Sequence, residues 1–204
     1  MTRSFVYLDH NATTFVSPDA RAAMTAAFDV GGNPSSVHRA GRAARAVVED
    51  AREAVAAMVG GNPAQVVFTG SGTEANVLAI KGLGRAMKCT AAWCSSVEHP
   101  SVIANMTDID SFLPVDSNGL VDLNVLAECL KHQKAPVLVS VMLANNETGA
   151  IQPIAEIATL VHDAGGYLHC DTIQAPGRIA FNMKDLGVDA LSLSAHKFGG
   201  PKGV

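Results

Sequence analysis

Lys197 closes the run Leu191-Ser-Leu-Ser-Ala-His-Lys197, directly before the turn Phe198-Gly-Gly-Pro201. The apolar stretch at residues 188–193 reads as a buried strand of a parallel sheet, and the break after it puts Lys197 just past the strand's carboxyl end. Ligands of open α/β sheets bind at that edge. A lysine held there and partly desolvated can shed its proton and attack a carbonyl as a free amine. A loop lysine is also an ordinary solvated side chain, so the assignment leans on its company. Asp171 follows Tyr167-Leu-His-Cys170 at the end of another apolar strand, and Gln174 comes shortly after it. A carboxylate at a buried strand end needs a cationic partner. A protonated pyridine nitrogen is one, and the pairing keeps such a ring an electron sink. Gln174 would donate to a ring phenolate oxygen. Asp171 equally suits a cap on the following helix.

Further polar residues fall at the same place in the chain pattern. Gly70-Ser-Gly-Thr73 opens a helix, where free backbone amides and the positive dipole end suit a phosphate. The Gly-Lys-Ser/Thr ending of a nucleotide P-loop is absent. The same residues also suit a plain capping turn with Ser71 or Thr73 as the cap. His99, before Pro100 at a helix start, can lie flat on an aromatic cofactor and move protons near neutral pH, or simply end a helix. Ser194 and His196 read as phosphate donors rather than as a nucleophile pair, because no triad partners surround Ser194. With Gly72, Thr73 and Asn146 they all follow strands within a few residues, so one rim of a sheet can gather them.

Composition frames this. Of 204 residues, 48% are apolar and 17% charged, which excludes a disordered chain and favours an α/β domain with its sheet covered on both faces. The net charge of -4 gives no basic patch for nucleic acid or an anionic membrane. The four cysteines, Cys89, Cys94, Cys129 and Cys170, form no Cys-x-x-Cys pair and no zinc spacing with histidine, so no metal site is expected. They read as reduced cytosolic thiols. The amino terminus lacks the pattern of a secretory signal, and no apolar run reaches membrane-spanning length. A cytoplasmic location is the expectation.

These residues need a frame of alternating strands and helices. Residues 1–15 read as an extended arm and 16–204 as one domain. Helices are expected from Pro18 to about Phe28, from near His38 to Val59, from Gly70 to about Ala86, after His99, over 122–131 and over 153–164. Strands are expected at 66–69, 91–96, 112–115, 137–143, 167–170 and 190–193. Right-handed connections between them give a parallel sheet. After Lys197 no element covers the last strand, so the expectation is a large domain truncated at its carboxyl end.

The chain resembles a pyridoxal-phosphate enzyme of the aspartate-aminotransferase fold, and more closely a cysteine desulfurase of the nitrogen-fixation and iron-sulfur-cluster type, class V of the aminotransferases. The resemblance rests on Tyr7-Leu-Asp-His-Asn-Ala-Thr-Thr14, Gly32-Asn-Pro-Ser-Ser-Val-His38, Phe68-Thr-Gly-Ser-Gly-Thr-Glu-Ala-Asn76, Glu98-His-Pro100, Ser140-Val-Met-Leu-Ala-Asn-Asn-Glu-Thr-Gly149, His169-Cys-Asp-Thr-Ile-Gln174 and Ser192-Leu-Ser-Ala-His-Lys197. It implies a three-layer, mainly parallel α/β domain, with the arm joining a smaller domain. It implies Lys197 as the lysine that bonds the cofactor, Asp171 on the pyridine nitrogen, Gln174 on the ring oxygen and His99 stacked on the ring. Gly72, Thr73, Ser194 and His196 would hold the phosphate, and Asn146 would bind substrate. Lys197 and His99 would be the catalytic pair. The implied reaction takes L-cysteine to L-alanine and passes sulfur as a persulfide to an iron-sulfur scaffold or another acceptor, in a homodimer. The family's sulfur-accepting cysteine and carboxylate-gripping arginine lie beyond position 204, so these residues alone would be inactive. A selenocysteine lyase, an aminotransferase and an inactive cofactor-binding fragment are the alternatives.

Overall fold

A computed structural model describes residues 5–106 and 112–204; the first four residues of the expected arm lie outside them. Two helices come first, α1 (Pro18–Phe28) and α2 (Arg39–Val59). Ser17 caps α1 by accepting from the Ala20 N–H, with Pro18 where a missing N–H costs nothing. A His38 ring nitrogen caps α2 by accepting from Gly41, and Gly60, at φ 68°, supplies the left-handed residue that ends it.

Five strands, β1 (Ala91–Ser95), β2 (Phe112–Leu113), β3 (Val137–Ser140), β4 (Tyr167–Asp171) and β5 (Ala190–Ser192), form one sheet in the order β2-β1-β3-β4-β5. Every ladder in it is parallel. Between them lie α3 (Gly72–Val77), α4 (Gly84–Ala86), α5 (Pro100–Ile103), α6 (Leu123–Lys131), α7 (Ile154–Asp163) and α8 (Met183–Leu186). Alternation along β3 builds the layers. Val137 and Val139 enter a core with Leu126 and Leu130 of α6 and Ile157 and Val161 of α7. Leu138, one residue out of phase, joins Ile80 and Val102 on the opposite face. Each such fully buried side chain contributes about 1.5–3 kcal/mol. The result is the expected three-layer α/β architecture with a parallel sheet.

Several expected elements differ. Residues 66–69 join no ladder, so they are not a strand. A groove of about 230 Å³, lined by Val66, Val67, Phe68 and Thr69 on one side and Leu191 and Leu193 on the other, separates them from β5. The helix expected from 70 to 86 does run through, but its middle, Leu78–Leu83, is π-helical. β2 stops at Leu113, after which the chain turns away and the Pro114 carbonyl accepts from the Asp122 N–H at 3.2 Å. β3 ends at Ser140 as a ladder, although the Val141 and Leu143 N–H groups still donate to the His169 and Asp171 carbonyls at 3.0 and 2.9 Å.

The face of the sheet turned toward α3 becomes polar at its carboxyl end. His169, fully buried, bonds Ser140 Oγ through Nδ1 and Ser192 Oγ through Nε2, each at 2.8 Å, so one imidazole ties β3, β4 and β5 together. Burial holds this imidazole neutral down to about pH 4. An unfolded histidine protonates near pH 6.5. The unfolded state therefore takes up the proton first as pH falls, and stability that is complete above pH 6.5 is lost toward pH 4. In urea unfolding, the protein should lose about 2 kcal/mol between pH 7 and pH 5 from this group. His169→Leu should cost about 2–4 kcal/mol at pH 7 by stranding two buried hydroxyls, and should flatten that pH dependence.

Candidate active site

β1, β3, β4 and β5 all end at the same edge of the sheet, and the turns beyond them surround a cleft of about 660 Å³. Strand order reverses between β1 and β3, the place where open sheets leave a crevice. His99 arrives after β1 and Asn146 after β3. Asp171 and Gln174 follow β4, while Ser194, His196 and Lys197 follow β5. Gly72 and Thr73 come from the start of α3. All nine residues singled out in the sequence line this cleft.

Asp171 is its buried floor. The carboxyl is 5% exposed and accepts from the Asn76 amide at 2.8 Å and the Ile173 N–H at 3.0 Å. Burial pushes it above the usual carboxylate range, against the opposing pull of those two donors and of His99 and Lys197. Its hydrogen-bond partners are neutral, so a cation placed in the cleft would favour its ionised form.

Lys197 stands opposite, half-buried, with Nζ donating to the carbonyls of Asn11 and Ala12 at 2.7 and 2.8 Å. Burial, and then the Arg178 cation, press its ammonium below the ordinary lysine value, while Asp171 and Asp9 counter them. Arg178 fastens this corner. It donates to the His10 carbonyl at 2.8 Å, to Asn11 Oδ1 at 3.0 Å and to Gln174 Oε1. Gln174 in turn donates through Nε2 to the Asn11 carbonyl at 3.0 Å. Residues 10–14 thus lie across the lysine, and the Thr14 N–H donates to the His196 carbonyl at 2.8 Å.

On the other wall Ser71 caps α3 by accepting from Glu74, which leaves the Gly72 and Thr73 amides as first-turn donors without a helical partner. A Cβ on Gly72 would come 2.6 Å from Ile173 Cδ1, so glycine lets this turn approach the sheet edge. Ser194 Oγ donates to the Val204 carbonyl, and His196 Nδ1 meets Thr13 Oγ1 at 3.0 Å.

Other residues of the site escaped the sequence reading. Asn76 and Ser101 lie behind Asp171 and His99, and Asn11 and Arg178 carry the arm across. Glu98 is buried, accepts from Ser95 Oγ at 2.6 Å and from the Met142 N–H at 2.7 Å, and so pins the turn bearing His99 to the end of β3. Desolvation raises its carboxyl to about 8. All but Arg178 lie inside or beside a quoted motif, which was the only available signal.

The four cysteines lie away from the cleft lining. Cys94 and Cys170 are buried thiols, the former pushed up to about 12 by burial and then by Glu98.

Residues 6–204 match the aminotransferase class-V family. The chain belongs to that family. Among its class-V relatives, a cysteine desulfurase IscS of Dictyoglomus turgidum is 41% identical over 98% of this chain and 52% of its own length. An IscS-like cysteine desulfurase of Mycobacterium tuberculosis is 40% identical over 97% and 53%. A NifS-like protein from Rickettsia africae superimposes with a TM-score of 0.89 at 37% identity, over 98% of this chain and 56% of that one. A structure described as SspA in complex with cysteine gives 0.88 at 30%, over 98% and 59%. The chain spans about half the length of the curated relatives it matches.

Replacing Arg178 with Met removes a neighbouring cation, which favours the charged lysine. The Lys197 ammonium of Arg178→Met, followed by side-chain NMR, should titrate at higher pH than in the unaltered protein.

Proposed function

We propose that these residues form the pyridoxal-phosphate-binding part of a cysteine desulfurase, which converts L-cysteine to L-alanine and hands on the sulfur as a persulfide. The observation that carries this is the pairing, across one cleft, of a lysine with a depressed ammonium and a buried carboxyl that meets only neutral donors. Similarity to relatives named cysteine desulfurase supports the substrate.

The donor set fits pyridoxal 5'-phosphate. Asp171 would take the cationic ring nitrogen, Gln174 would donate to the ring oxygen, and His99 would cover the ring. The Gly72 and Thr73 amides, with Thr73, Ser194 and His196 side chains, would hold the phosphate. When bound, the cofactor supplies an electron sink for charge that develops at the substrate α-carbon. Lys197 is the base that removes the α-proton, because its amine is free more readily than an ordinary lysine's. His99 delivers a proton on the opposite side of the reaction, and Asn146 orients the amino acid. The sulfur must then meet a thiolate. With no cysteine lining the cleft, that thiol comes from outside these 204 residues.

The same reading assigns residues 1–15 as an arm of a smaller domain and 16–204 to the cofactor-binding domain. It makes the protein a cytoplasmic homodimer that delivers sulfur to an iron-sulfur scaffold or another acceptor. Among the described residues no helix is long and apolar enough to cross a membrane. Exposed Phe5, Leu8, Phe28 and Val37 are apolar side chains that a subunit contact would cover.

With pyridoxal 5'-phosphate added, the protein should acquire a visible absorption band that Lys197→Ala lacks while keeping its circular dichroism; an unchanged band in that variant would remove the assignment. The 204 residues alone, loaded with cofactor and given L-cysteine, should form no persulfide. Detection of one by mass spectrometry would overturn the account of the thiol.

A further inference from the structure

Behind the cleft floor, Asn76 is fully buried and Ser101 is 8% exposed. Asn76 Nδ2 has two hydrogens and two acceptors, Asp171 Oδ2 at 2.8 Å and Ser101 Oγ at 2.9 Å. An ionised carboxylate only accepts, so it dictates which end of the amide faces it. The consequence is visible at the other end, where Asn76 Oδ1 is buried without a partner among the described residues. Stranding a buried acceptor costs about 1–3 kcal/mol, and the amide keeps this orientation despite that. Ser101 Oγ, having accepted, has its single hydrogen left for His99 Nδ1 at 2.7 Å. The Ser101 backbone N–H reaches the same nitrogen at 3.1 Å. Two donors on Nδ1 make it the lone-pair nitrogen, and a neutral ring then carries its proton on Nε2.

We propose that Asn76 and Ser101 are positioning residues, a buried relay through which the Asp171 carboxylate fixes the proton of His99 on Nε2. The relay joins β4, α3 and α5, and it has two settings. With Asp171 ionised, the amide donates twice and the serine hydrogen points at the imidazole. With Asp171 protonated, the amide turns, Asn76 Oδ1 accepts from both Asp171 and Ser101, and Nδ1 loses its hydroxyl donor. This deepens the reading above and rests on it in one respect: a cationic ring on Asp171 locks the first setting, so His99 presents Nε2–H when substrate is bound.

The test is the nitrogen NMR of ¹⁵N-histidine-labelled protein without cofactor at pH 8, with His99 assigned by its loss in His99→Gln. Expected is an unprotonated Nδ1 and a protonated Nε2. Ser101→Ala, which leaves the backbone N–H as the remaining donor, should shift the Nδ1 signal by the loss of one hydrogen bond, and Ser101→Thr, which keeps the hydroxyl, should restore the original pattern. Asp171→Asn removes the obligate acceptor and should shift the Nδ1 signal in the same direction as Ser101→Ala. A proton on Nδ1 in the unaltered protein, or unchanged His99 signals in either Ser101→Ala or Asp171→Asn, would overturn the relay. Cofactor binding is read separately from the visible band. Its absence beside the expected nitrogen pattern would remove the proposed function and leave the relay standing.

Discussion

A carboxyl group taken out of water at the end of the central region of a sheet is the constraint around which this domain is arranged. Asp171 loses hydration that two neutral hydrogen bonds replace only in part, which is why burial raises it. Those two bonds already demand much of the fold. The Asn76 amide must reach the sheet from α3, and the Ile173 N–H must turn back immediately after β4. The polar face continues as Ser140, His169 and Ser192, a cross-strand chain that keeps three strands in register beneath the carboxyl. On the other face the same strands present only apolar side chains to α6 and α7. One face of the sheet thus supplies cohesion and the other holds the charge.

Much of this was legible in the sequence because strand-end chemistry is local. An apolar run followed by a polar turn marks where the chain leaves a parallel sheet, and all such exits share one edge. Lys197, Asp171, Gln174, His99 and Asn146 could therefore be gathered without knowing which strand neighbours which. What the sequence left hidden depends on distant partners. Residues 66–69 have a strand's composition, yet a strand exists only where a neighbour completes its ladder, and here a groove intervenes. Asn76 reads as one more polar residue in a helix, since its acceptors lie 95 and 25 positions away. Arg178 reads as a charge after a turn, while its contacts are in the arm, 167 and 168 positions back.

The cleft also separates two tasks that the chemistry joins. Its walls carry a base, a buried acid and first-turn amides, all suited to holding and activating an amino acid. The cysteines follow a different rule, two of them sealed in the cores where burial suppresses thiolate formation. Under the proposed function the sulfur acceptor is delivered from elsewhere and can approach and withdraw, whereas Lys197 and Asp171 stay fixed against the sheet.

The open flank of β5 has a bearing on handling. As an outer strand beside an apolar groove, it displays unpaired backbone groups next to Leu191 and Leu193. Such a flank is a template for edge-to-edge pairing. A charge placed in the groove would oppose such pairing without entering the cleft.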